Sequence, residues 1–210
     1  MWGVLKGHLP WWPGKWRPGG KDFRWARHAW GAEERRLLEA WLHQGGQPEF
    51  HLPNRRNFLR PARAARVAQQ FLWFPKERRL RGLVHFGPGS EETSSGAVHL
   101  GCLAAVVDSL MGHVAYRATK KYIVTRNLQV TYGGSRTSPG GTVEVEAWFD
   151  RAEGRKVFTG CALKGLGGNG AAVDSAPICE ASALFIDVLA KKSAGADAGS
   201  ASPGGASPKG

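Results

Sequence analysis

One stretch constrains the fold more than any other: residues 96–112 read Gly-Ala-Val-His-Leu-Gly-Cys-Leu-Ala-Ala-Val-Val-Asp-Ser-Leu-Met-Gly. Its apolar residues predict a helix over 98–115, with Leu103, Ala104, Val107, Leu110 and Met111 supplying buried contacts. Four strand-like segments come after it: 122–132, 141–150, 155–164 and 181–188. Turn signals at Ser138-Pro139-Gly140-Gly141 and Glu153-Gly154 bound the middle two. Residues 142–149 alternate cleanly, which predicts one wet face and one packed face. A strand at 83–86 and a polar loop over 87–95 precede the helix. One strand, one long helix and four strands make an α+β layout, an antiparallel sheet wrapped around a single buried helix.

The same stretch carries the most suggestive chemistry. Asp108 is a lone carboxylate in an apolar helical run, nine residues after His99. The His99-Leu100-Gly101 turn can present free backbone N–H groups at a helix start, where the dipole favours negative charge. A carboxylate in such a setting is a candidate for acid–base or nucleophilic work, against the plain alternative of a helix Asp hydrogen-bonded locally.

The formal charge of +12 sits almost wholly in the first part of the chain. Residues 1–89 carry 17 Lys and Arg against 6 Asp and Glu; the remainder carries 12 against 11. Because basicity is confined there, nucleic acid is not expected as the main partner, although Lys and Arg neutralise phosphate well. Residues 1–30 mix six Trp with Pro, Gly, Lys and Arg and show no sustained period. They are expected to hold little regular structure, as an extension or targeting segment. Interleaved aromatic and basic residues also suit RNA or an anionic membrane surface. Helices are predicted at 32–43, stopped by Gly45-Gly46, and at 61–71, ended by Pro75. Residues 191–210 are Ala, Gly, Ser and Pro and predict a disordered tail. The division expected is thus an extension over 1–80, a domain over 81–190 and a tail.

Cys102, Cys161 and Cys179 make an odd count in a chain with no hydrophobic signal segment at its start. They read as small core residues in a reducing intracellular compartment, with cytoplasm, mitochondrion and plastid all open. The longest apolar run, 100–107, falls short of the roughly 18 residues that a spanning helix needs. A soluble or peripheral protein is expected.

His99-Leu100-Gly101, Asp108 nine positions after the His and Gly112 four further on resemble the pattern of the hotdog-fold acyl-CoA thioesterases, which reads His-Gly-Gly at the turn. The resemblance continues through Thr125-Arg126-Asn127-Leu128-Gln129-Val130-Thr131-Tyr132, through Glu153-Gly154-Arg155-Lys156, and through Glu180-Ala181-Ser182-Ala183-Leu184-Phe185. It covers residues 82–189 and implies a hotdog fold that hydrolyses acyl-CoA to free acid and coenzyme A. By resemblance, Asp108 is the general base toward water or a nucleophile through an anhydride. The oxyanion is met by N–H groups of the His99-Leu100-Gly101 turn, with His99 either orienting the turn and carbonyl or simply capping. Thr125 lies near the attacking water or the thioester. Arg155 and Lys156 contact the coenzyme phosphates, and Thr131 and Gly133 the nucleotide part.

No metal and no cofactor beyond the coenzyme A of the substrate is implied. The family also implies a homodimer or dimer of dimers, with active sites at the junction, which fits the need to pair an exposed edge strand. Leu100 stands where the family has Gly; its Cβ restricts φ and crowds the thioester. That change, with Thr131 and Gly133 standing where the family more often has Asn and a basic residue, keeps a second reading open, a non-catalytic acyl-CoA-binding or regulatory hotdog module. A hydratase of the same fold would carry an Asp and His pair in a hydration motif absent from this sequence.

Overall fold

The alternation in Thr142–Glu153 sets the two faces of the sheet. Val143, Val145 and Ala147 are fully buried against one layer, while Glu144, Glu146 and Trp148 point the other way. The computed structural model describes residues 30–49, 67–134, 136–166 and 176–189. Its elements are α1 (Ala32–His43), β1 (Gln47–Glu49), β2 (Val67–Phe74), β3 (Arg79–Phe86), α2 (Leu100–Thr119), β4 (Ile123–Tyr132), β5 (Thr142–Glu153), β6 (Lys156–Gly165) and β7 (Cys179–Asp187). The strands form one antiparallel sheet in the order β1-β2-β3-β5-β6-β7-β4.

The long helix α2 lies on one face. Leu103, Val106, Val107, Leu110, Met111, Val114 and Ala115 pack onto the inward residues of β5, β6 and β7, and onto Trp73, Val84 and Phe86. This is the hotdog arrangement, an α+β sheet wrapped about one helix. Ala104, expected in the core, is only half-buried.

The upstream part departs from expectation. Residues 67–71, placed by the sequence reading in a helix over 61–71, belong to strand β2, which pairs with β3 from Val67↔Phe86 to Phe74↔Arg79. Among the described residues three strands therefore precede α2 rather than one, and the sheet begins before residue 81. The rest of that expected helix, the extension over 1–29 and the tail over 191–210 lie outside the described residues.

Helix α1 explains why β2 can be buried on both faces. Leu38 and Trp41, with Trp30, cover Leu72, Phe74 and Leu83 on the face opposite α2. The outward face of β5 is closed as well. Arg81 stacks over Trp41 at 4.9 Å and reaches Glu144 at 3.1 Å, while Arg79 pairs with Glu146. Glu144, on the face expected to be wet, is only 8% exposed. On the other side, Glu49 of β1 accepts from His113 Nε2 at 3.1 Å and Arg117 Nη2 at 2.9 Å, tying the first strand to α2.

Candidate active site

Strand β4 ends the sheet, with β7 as its sole neighbour in the strand order. Between Thr125 and Asn127 its register slips by one residue, a bulge of the kind that re-aims a side chain. Thr125 pairs with inward-facing Phe185 and so faces α2. Its hydroxyl donates to Asp108 Oδ1 at 2.9 Å. Asp108 is half-buried rather than sunk in apolar surroundings.

The turn before α2 is pinned from several sides. His99 is the N-cap, with extended backbone, and its Nδ1 accepts the N–H of Gly101 at 2.9 Å. The N–H of His99 donates to the Ser90 carbonyl at 2.8 Å, and that of Val98 to the Thr137 carbonyl at 2.9 Å. Cys102 and Leu103 donate to the His99 carbonyl at 2.8 and 3.3 Å. The Tyr132 hydroxyl donates to the Leu100 carbonyl at 3.0 Å. Of the first N–H groups of this helix, that of Leu100 alone has no partner among the described residues, and a helix start leaves such donors open to an anion. Gly101, expected to share the oxyanion role, has its N–H committed to the His99 ring. His99 thus caps α2 through its ring. Leu100 is not among the residues of positive φ, so its Cβ brings no backbone strain.

The expected coenzyme contacts separate into two groups. Thr131 and Gly133 flank Tyr132 at the α2 start; Thr131 is exposed, and Gly133 donates to the Ile178 carbonyl at 2.8 Å. A Cβ at Gly133 would fall 2.1 Å from the Pro177 carbonyl oxygen, a backbone reason for glycine. Arg155 and Lys156 lie at the other end of β7. Arg155 Nε donates to the Asp187 carbonyl at 2.9 Å, which ties the β5–β6 hairpin down, and Lys156 is exposed. Within one chain the two groups do not meet.

Two participants escaped the sequence reading. Tyr132 holds the turn through a register between β4 and α2 that spans 32 residues of chain. Burial, then the neighbouring Cys179, pushes its phenol above the usual range, keeping it a donor. Glu92 ion-pairs with Arg136 at 3.4 Å; the Ser95 hydroxyl holds its carboxyl below the usual range against desolvation, with Arg136 and His99 assisting.

The sequence profile of the thioesterase superfamily matches residues 95–172, which span the turn, α2, β4, β5 and β6. The acyl-coenzyme A thioesterase THEM4 of Xenopus laevis is 31% identical over 142 residues, 67% of this chain. The chain spans 60% of the length of that relative. Among solved structures, zebrafish thioesterase superfamily member 2 aligns over 59% of this chain and 82% of its own, with 13% identity and TM-score 0.49. A Streptococcus mutans protein solved with acetyl-CoA aligns over 62% of this chain and 95% of its own, also with 13% identity and TM-score 0.49. Within the matched residues, the motif that carries the resemblance falls on the turn and on Asp108, the two features that the geometry also singles out.

Proposed function

We propose that the protein hydrolyses acyl-CoA thioesters, releasing a free acid and coenzyme A. The observation that carries this is Asp108, held by the Thr125 hydroxyl at 2.9 Å beside an open sheet edge. Asp108 removes a proton from the attacking water, or attacks the carbonyl itself; the Leu100 N–H receives the oxyanion; the carbon–sulfur bond then breaks and the thiolate takes a proton, and on the second route water hydrolyses the anhydride left on Asp108 to release the acid. No cofactor beyond the coenzyme A of the substrate enters.

Spacing supports a homodimer. Asp108 lies eight residues beyond Leu100, about 12 Å along the helix at 1.5 Å per residue. A base and an oxyanion donor serving one carbonyl each stand about 3 Å from the reacting group. Thr125 lies toward the start of β4 and Tyr132 at its end. Two copies meeting along β4 about a two-fold set the start of one against the end of the other. Asp108 of one copy then faces the Leu100 turn of the second, and Arg155 and Lys156 approach the second copy's Thr131 and Gly133 for the coenzyme.

Asp108→Asn decides between hydrolysis and the non-catalytic reading. Hydrolysis of acyl-CoA should fall by about a hundredfold or more, while acyl-CoA binding measured by calorimetry persists. Unchanged turnover in Asp108→Asn overturns the assignment of the base; a wild-type protein that binds without turnover establishes the binding module.

A further inference from the structure

A cavity of about 70 Å³ opens at the start of α2, lined by Val98, Leu100, Leu103, Tyr132, Arg136 and Ile178 among others. Its wall includes the side chain of Leu100, whose N–H is the unpartnered donor of the turn. A thioester with its oxygen on that donor sets one of its two arms against this cavity.

The lining decides which arm. Val98, Leu103 and Ile178 are buried hydrophobics. Most polar groups on the wall are already engaged: the Tyr132 hydroxyl with the Leu100 carbonyl, Arg136 with Glu92 and Ser95, the Gly133 N–H with the Ile178 carbonyl, and the Thr137 carbonyl with the Val98 N–H, which leaves the Thr137 hydroxyl. The two amides of a pantetheine arm would lose water here and find at most the one Thr137 hydroxyl, which is costly, whereas an alkyl group loses nothing. Arg136 is neutralised by Glu92, so a second carboxylate on the acyl group gains little.

Size then sets the limit. A cavity of roughly 150 Å³ accommodates benzene, so about half that volume holds about three carbons. We propose that this cavity is the acyl pocket and that its Leu100 wall restricts the enzyme to short, uncharged acyl groups of about two to four carbons. This rests on the acyl-CoA reading above and names its substrate class.

The test separates the two. Binding of acetyl-, butyryl-, hexanoyl- and octanoyl-CoA to full-length Asp108→Asn protein is measured by calorimetry, free of any turnover. Butyryl-CoA should bind about tenfold or more tighter than octanoyl-CoA. Ile178→Ala, and independently Val98→Ala, should carry the preferred length up by one or two carbons, with thermal melting to establish folding. Affinity that is flat or rises with chain length, or a preference that neither enlargement moves, overturns the size limit. Loss of turnover in the wild-type protein toward every ester tests hydrolysis alone and leaves the binding series to judge the pocket.

Discussion

At the scale of single residues, the site depends on a few hydrogen bonds that hold two backbone groups and one carboxylate. The Thr125 hydroxyl is the one polar side chain bonded to Asp108 among the described residues. Thr125→Val keeps the β-branched shape and removes only the donor, so the sheet should survive while the carboxylate loses its fix. A hydrogen bond to a charged group contributes about 1.5–3 kcal/mol, and kcat for acyl-CoA should fall about tenfold or more with an unchanged melting temperature. Steady-state kinetics read this directly, and unaltered kcat would remove Thr125 from the site. Asp108 and Thr125 were legible in sequence because both fall in motifs whose spacing the resemblance fixes. Tyr132 was not, because its role depends on which strand residue passes the first turn of α2, a matter of tertiary register rather than local pattern.

At the scale of elements, legibility depended on whether burial falls on one face or two. Helix α1 spans the expected 32–43, since its apolar stripe is one-sided and Gly45, with φ of 92°, stops it where the sequence suggests. Helix α2 begins two residues later than the expected 98 and runs on to Thr119, ended by Lys120 in the left-handed region with φ of 57°. Strand β2 was misread because Phe71 and Trp73 face α2 while Leu72 and Phe74 face α1. Burial on both sides erases the alternation that marks a strand, and the Ala- and Arg-rich approach to it has helical propensity that tertiary packing overrides. The two-sided packing is testable at Gly82. A Cβ there would stand 2.3 Å from the Gln70 carbonyl oxygen, in the strand paired with it, and as close to the Phe71 ring. Backbone of a central ladder cannot yield as a side-chain tip can, so Gly82→Ala should destabilise by about 2–3 kcal/mol, read by urea denaturation.

At the scale of the whole molecule, the core and the open edge make different predictions. Cys179 has its thiol pushed by burial, and then by Glu180, from 9.0 up to about 11, and burial pushes up the thiol of fully enclosed Cys161 as well. The folded state therefore holds these protons more tightly than the unfolded chain. That contribution is intact below the ordinary thiol range near 9 and is lost as pH climbs toward 11. Melting temperature should drop over pH 9–11, and Cys179→Ala should shallow the drop. The edge bears on assembly. Val124 in β4, 50% exposed, and Tyr122 just before the strand, 65% exposed, stand close to Thr125 in sequence. In a dimer joined along β4 about a two-fold, Val124 near the start of each strand lies in the junction against the end of the other copy's strand, so Val124→Lys places an edge-blocking lysine at both ends of it. The single chain should tolerate the change within about 0.5 kcal/mol, since the site is exposed. Sedimentation should then report a monomer with native circular dichroism and lost hydrolysis, because in the proposed dimer Asp108 and the Leu100 turn come from different copies. Val124→Thr, uncharged and equally suited to a strand, should retain both dimer and activity. A folded Val124→Lys monomer with full turnover would show instead that one chain completes the site alone.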